Sequence, residues 1–135
     1  MDAREEGETL ALDFHKLEKA ARCGGVLPVA VQHADTGEVI LLAYTNEAAF
    51  HESVERRTLV LWSTSRNARW EKGATSGETF ALVEVRVNCE QNSLLYRVRP
   101  RRGGICHTRN RRGEPRHCYY RRLDLERGTL ENLDP

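Results

Sequence analysis

Val26-Leu27-Pro28-Val29-Ala30-Val31-Gln32, then Asp35-Thr36-Gly37-Glu38, then Val39-Ile40-Leu41-Leu42-Ala43-Tyr44: two apolar runs parted by a turn decide the fold class of this chain. β-branched residues on either side of an Asp/Gly turn predict a β-hairpin, and Pro28, which lacks an N–H, predicts an edge position or a strand start for the first run. Thr45-Asn46-Glu47 follows at once. Thr45 or Asn46 suits a helix N-cap, and Ala48, Ala49, Phe50 and Val54 supply the inner face of a helix running to about Arg57.

Upstream, Leu10, Leu12, Phe14, Leu17, Ala20 and Ala21 predict a short amphipathic helix over 8–22, ended by Cys23-Gly24-Gly25. Downstream, 58–63, 79–87 and 93–98 carry strand character, and the polar run from Ser63 to Gly77 reads as a binding loop. Strands that do not alternate regularly with helices predict an α+β fold, mainly antiparallel sheet with two short helices. Arg109 to Arg116 reads as a flexible charged insertion and Leu123 to Pro135 as a peripheral tail.

A length of 135 residues, 39% hydrophobic and 30% charged, fits a single domain over 1–135 with its core at about 24–122. No run approaches the roughly 18 apolar residues of a membrane span. The polar opening Met1-Asp2-Ala3-Arg4-Glu5-Glu6 lacks the apolar stretch of a secretory signal, so a cytoplasmic, reducing setting is expected. In that setting four cysteines point to metal binding or catalysis before disulfides.

Three of them, Cys89, Cys106 and Cys118, leave two readings open. They are ordinary buried thiols, or they are the three ligands of a catalytic zinc whose fourth position holds water. Net charge is +1, yet ten arginines crowd the region from Arg97 to Arg122. They suit a phosphorylated small molecule, or they form a solvated surface paired with acids. Nucleic acid is disfavoured, because few aromatics interleave with the arginines.

Leu41-Leu42-Ala43-Tyr44-Thr45-Asn46, Trp62-Ser63-x-Ser65-Arg66, Trp70-x-Lys72-Gly73-x-Thr75-Ser76-Gly77, Cys106-His107-Thr108 and Cys118-Tyr119-Tyr120, in this order, resemble the phosphoribosyl-AMP cyclohydrolase family from about Gly24 to Arg122. The resemblance implies a zinc-dependent hydrolase of histidine biosynthesis that opens the adenine ring of phosphoribosyl-AMP between N1 and C6. It implies a homodimer with zinc sites between subunits, Cys89 from one chain and Cys106 and Cys118 from the other. It places Arg66, Lys72, Thr75 and Ser76 near substrate phosphate. Trp70 is a candidate to cover the purine. His107, with a side chain that titrates near neutrality, is the expected proton carrier.

Two departures stand out. Where the family has three aspartates around the first cysteine to hold magnesium, this chain has Asn88, Glu90 and Asn92. Two formal charges are gone, so Mg2+, a hard cation that relies on carboxylates, is expected to bind weakly. The 11 residues between Cys106 and Cys118 exceed the usual family loop, and Arg109 replaces a glycine. These departures keep two alternatives open: a related zinc hydrolase acting on another purine-like nucleotide, or a non-catalytic zinc-stabilised nucleotide-binding protein.

Overall fold

The computed structural model describes residues 3–102 and 108–135. Its elements are helix α1 (Ala3–Glu6, a single turn), α2 (Lys16–Arg22), β1 (Val26–His33), β2 (Val39–Asn46), α3 (Glu47–Arg56), β3 (Val60–Ser63), β4 (Ala68–Glu71), β5 (Phe80–Val87), β6 (Leu94–Pro100), β7 (Arg121–Leu123) and β8 (Leu130–Asn132). The fold is α+β and mainly antiparallel, as the pattern predicts. The main sheet has the order β2-β1-β6-β5, with β1 and β6 parallel and the other neighbours antiparallel. The pairs β3-β4 and β7-β8 are separate hairpins.

β1 is therefore an interior strand, not an edge. Pro28 is tolerated because the ladder to β6 begins one residue later, at Val29 opposite Leu94, so no sheet hydrogen bond to β6 is lost. Val29 and Val31 of β1, Leu94, Tyr96 and Val98 of β6, and Phe80 and Leu82 of β5 point to one face. There they meet Ile40, Leu59 and Leu61 in the core. α3 closes this face. Asn46 caps it by accepting from the N–H of Ala49 (2.9 Å), and buried Ser53 exchanges two hydrogen bonds with the backbone of Val60 (2.7 and 3.0 Å). Outside, Glu52, Arg56, Arg69 and Glu71 interlock α3 with β4.

Three expectations are corrected. The helix expected over 8–22 shrinks to α2. Ahead of α2, Thr9 bridges Thr129 and the carbonyl of Glu8 accepts from Leu130 (2.7 Å), residues 10–13 take no regular structure, and Phe14 and His15 turn into the helix. The expected tail is the β7-β8 hairpin: buried Tyr120 donates its hydroxyl to the carbonyl of Glu5 (2.6 Å), and the N–H of Leu133 reaches the carbonyl of Tyr120 (2.8 Å). Residues 108–116 are not a loose insertion. Arg109 bridges Pro115, the N–H of Arg116 donates to the carbonyl of Thr108 (3.2 Å), and Asn110 and Arg116 are buried. Arg116 pairs with Glu6, donates to the carbonyl of Asp134 (2.8 Å) and lies 4.5 Å from the ring centre of Tyr120.

Candidate active site

The stretch read as a binding loop divides into a hairpin and a turn. β3 and β4 put Arg66 at the hairpin tip and Lys72 at its base, about 15–20 Å apart at roughly 3.3 Å per residue. Arg66 is exposed, its Nε donating to Ser63 Oγ (3.5 Å). Trp70 is half-buried and leans on the core, while the Trp62 indole donates to Asn67 Oδ1 (3.1 Å). The structure thus brings Lys72, Thr75 and Ser76 together and leaves Arg66 of the same chain apart.

The turn from Lys72 to Glu78 is tightly built. The N–H of Gly77 donates to the carbonyl of Gly73 (2.9 Å), and Glu78 donates its own N–H to Ser76 Oγ (3.2 Å). Gly73 has φ +79, and a Cβ there would lie 2.3 Å from the carbonyl carbon of Glu78. Only glycine fits, on both counts. Lys72 is buried, its ammonium 4.0 Å from Glu78 Oε2, and Thr75 and Ser76 face solvent.

Cys106 and His107 lie outside the described residues. Their flanks do not. On one side Arg102 reaches the carbonyl of Ser76 (3.4 Å); on the other Arg109 pairs with Glu78 (3.2 Å) and donates to the carbonyl of Gly113 (3.0 Å). Both ends of the segment are fastened to the turn that carries Lys72, Thr75 and Ser76. Sequence reasoning missed Arg102 and Arg109 as anchors; their density in an arginine-rich region was the only available signal. Most arginines there are paired with acids, such as Arg97 with Glu84 and Arg99 with Asp35, in keeping with the salt-bridge reading.

The 108–116 hairpin has a second consequence. It closes at Thr108 and Arg116, two residues after Cys106 and two before Cys118. Cys89 stands elsewhere. It follows Val87, whose partner Leu94 is level with Val29, whereas the N–H of Cys118 is held by the carbonyl of Ile40 (3.0 Å), near the far end of β1 and on the opposite edge of the sheet. With about 3.3 Å per residue and about 4.8 Å per strand, Cys89 and Cys118 of one chain are on the order of 20 Å apart. Two thiolates on one zinc, each about 2.3 Å from it, must lie within about 4 Å of one another. As a donor set, three thiolates fit zinc; Cys89 and Cys118 of the same chain stand too far apart to share one ion. Among the described residues no three His, Cys, Asp or Glu side chains gather closely enough to hold a metal. Cys23, Cys89 and Cys118 form no disulfide, and Cys23 donates to the carbonyls of Lys19 and Thr64.

The turn around Cys89 does not fit magnesium. Asn88 Oδ1 accepts from the N–H groups of Asn92 and Ser93 (both 2.9 Å), and its amide donates to Asn92 Oδ1 (2.7 Å). Asn92 in turn donates to Glu90 Oε2 (3.3 Å). The amide hydrogens do here what carboxylates cannot, and they occupy the oxygens a cation would need.

The match to a sequence family model described as phosphoribosyl-AMP cyclohydrolase covers residues 41–120. A phosphoribosyl-AMP cyclohydrolase of Hyphomonas neptunium is 41% identical over 100 residues, 74% of this chain and 72% of that protein. One from Caulobacter vibrioides is 44% identical over 107 residues, 78% of this chain and 72% of that protein. A histidine biosynthesis bifunctional protein of Thermus thermophilus is 46% identical over 99 residues, covering 73% of this chain and 44% of that longer protein.

Proposed function

The chain belongs to the phosphoribosyl-AMP cyclohydrolase family, and from that premise we propose that it is a zinc-dependent cyclohydrolase of histidine biosynthesis, acting on phosphoribosyl-AMP as a homodimer in the cytoplasm. One observation carries the reading: both flanks of the Cys106-His107 segment dock on the Lys72–Glu78 turn. That the described residues flanking the proposed ligand and proton carrier reach the turn carrying the proposed phosphate-facing donors supports the reading.

In this reading Cys106 and Cys118 of one subunit and Cys89 of the other hold the zinc. When bound, it supplies acidification of a water, whose pKa falls from ~15.7 towards ~7. His107 takes the proton that the attacking water gives up. Water oxygen adds at C6 and the C6–N1 bond breaks; one proton of the water passes through His107 to N1, the other goes to the exocyclic imino nitrogen, and the oxygen remains as the carbonyl of a carboxamide. Lys72, Thr75 and Ser76 orient the substrate by its phosphate, where a buried ammonium and two exposed hydroxyls offer donors. Arg66 and Trp70 belong to the same proposed substrate set, and the distance of Arg66 from Lys72 makes it a contact to a more remote part of the ligand or to the site of the second subunit. No role falls to magnesium.

The loss of the carboxylates around Cys89 favours one second reading, a related purine-like nucleotide as substrate. Following the absorbance of phosphoribosyl-AMP with zinc-loaded protein decides between them. Turnover abolished by His107→Ala and Lys72→Met supports the first; a zinc-loaded dimer that leaves phosphoribosyl-AMP intact overturns it.

A further inference from the structure

We propose that Arg109, at the position where the family pattern has glycine, is an added substrate-binding residue: Glu78 holds its guanidinium beside buried Lys72, and the two cations together take a phosphate group of the substrate. The inference rests on the reading that the Lys72–Glu78 turn faces substrate phosphate.

Glu78 divides its carboxylate between two cations: Oε1 lies 3.2 Å from Arg109 and Oε2 lies 4.0 Å from the Lys72 ammonium. Arg102, which donates to the carbonyl of Ser76 (3.4 Å), brings another cation to the same turn. Lys72, Arg102 and Arg109 thus set three positive charges against the one of Glu78, beside the exposed hydroxyls of Thr75 and Ser76. The cations differ in what they can do. The Lys72 side chain is 11% exposed, so it contributes charge more than contact. Arg109 is 50% exposed. Among the described residues, two of its five N–H groups are taken, by Glu78 and by the carbonyl of Gly113 (3.0 Å), and three are left for water or a ligand. Phosphate suits them, because a guanidinium donates to it in parallel pairs and its negative charge answers the surplus of cations. A fastening role alone does not account for this side chain. The hairpin that carries it is already closed by the Arg109–Pro115 bridge and by the bond from the N–H of Arg116 to the carbonyl of Thr108. The contact with Glu78 runs through Nη2, a single-sided, half-exposed pair of the kind that adds little stability. The pair keeps the guanidinium at the turn and leaves it donors to offer.

The test reads two quantities on the zinc-loaded full chain: hydrolysis of phosphoribosyl-AMP, and binding of inorganic phosphate followed by phosphorus NMR. The variants are Arg109→Gln, Arg109→Lys and Glu78→Gln. Arg112→Gln is the control, since Arg112 pairs with Glu114 and its side chain is 79% exposed. Arg109→Gln and Glu78→Gln break the same ion pair, so a fastening role moves both in one direction, whereas a binding role moves their phosphate affinities in opposite directions. Arg109→Gln should weaken phosphate binding and raise KM on the order of 10- to 100-fold, the loss of a hydrogen bond to a charged group, with kcat and zinc content near those of the wild type. Glu78→Gln should bind phosphate several-fold more tightly, because the carboxylate no longer competes for the cations. Arg109→Lys should recover part of the loss, since it keeps the charge without the fork, and Arg112→Gln should match the wild type. Phosphate affinity that falls in both Arg109→Gln and Glu78→Gln, or that Arg109→Gln leaves unchanged, overturns the inference. So does a fall in kcat at constant KM, which would make Arg109 act on the adjoining segment and not on substrate. If the wild type leaves phosphoribosyl-AMP intact, the proposed function fails and the phosphate titration still decides: opposite shifts uphold the site, common or absent shifts overturn it.

Discussion

Replacing Gly73 by alanine tests whether the Lys72–Glu78 turn positions the substrate. The new Cβ would lie 2.3, 2.4 and 2.6 Å from the carbonyl carbon and oxygen of Glu78 and the nitrogen of Thr79, all backbone atoms that no rotamer change can move. Relief to an ordinary contact of about 3.4 Å requires the two strands of the turn to part by about 1 Å. Alanine at φ +79 adds roughly 1–2 kcal/mol of backbone strain. With an unfolding entropy of about 2.1 cal/mol/K per residue, a loss of about 2 kcal/mol lowers Tm by about 7 °C in a chain of this size, so the protein stays folded at 25 °C. The effect on activity is larger. A misplacement of about 1 Å at a positioning group costs on the order of 100-fold, and here it shifts Lys72, Thr75 and Ser76 together with the Glu78–Arg109 pair. Steady-state hydrolysis of phosphoribosyl-AMP at 25 °C should therefore show kcat/KM down by about two orders of magnitude, with zinc content unchanged. Wild-type kcat/KM in a protein whose Tm has fallen would refute the argument, because the turn would then be structural only.

Cys106→Ser and Cys118→Ser should each lose zinc and activity, since a serine hydroxyl does not readily supply the anionic ligand, whereas Cys23→Ser should retain both. Inactive Cys89→Ser and Cys106→Ser chains, dissociated and re-assembled together, should regain part of the activity; confirmed hybrids with none would place all ligands in one chain. Activity of the wild type should be indifferent to added magnesium, and the triple change Asn88→Asp, Glu90→Asp, Asn92→Asp should create a magnesium response, read by titration of the metal in the absorbance assay. Acid stability concerns the carboxylates of the α3–β4 network. Hydrogen bonds from Arg69 and then Arg56 hold Glu52 down at about 2, and those from Arg56 and Arg69 lower Glu71. A depressed folded pKa means stability present above the unfolded value of about 4.3 and lost as pH falls through the folded one. Tm of the wild type should thus drop between about pH 4 and pH 2, and Glu52→Gln should flatten that drop; an unchanged acid profile in the variant would contradict it.

Much of the fold is legible in local pattern. The hairpin of β1 and β2, the capped helix after Asn46 and the apolar run from Phe80 to Val87, broken only by the irregularity between Leu82 and Glu84, state their own structure, because each buries one face against neighbours close in sequence. The parallel pairing of β1 with β6 is not legible. It joins Val29 to Leu94, and nothing local distinguishes that partner from another apolar strand. The misread N-terminus and tail share one cause: Thr9 with Thr129, Tyr120 with Glu5 and Arg116 with Glu6 stabilise each other across the whole length of the chain, so neither end predicts structure alone. At the site, ligands and donors are readable as residue types through a family resemblance, but the anchors Arg102 and Arg109 become visible only once Glu78 and Ser76 are in place beside them.

The two departures from the family pattern do not weigh equally. The long spacing between Cys106 and Cys118 is taken up by a hairpin that closes at Thr108 and Arg116, with buried Asn110 accepting from the N–H groups of Arg112 and Glu114 (3.0 and 2.9 Å). The added residues project beyond that closure, so they lengthen the path along the chain without widening the gap between its ends. Arg109, in place of a glycine, adds the link to Glu78 that a glycine cannot make. The change around Cys89 is of another kind, because Asn88 and Asn92 satisfy each other where three carboxylates would repel one another unless a cation lay between them. The turn has thereby become stable without metal. In the proposed reading the three thiols suffice for zinc and its water, and the turn beside Cys89 holds together without a second, harder cation.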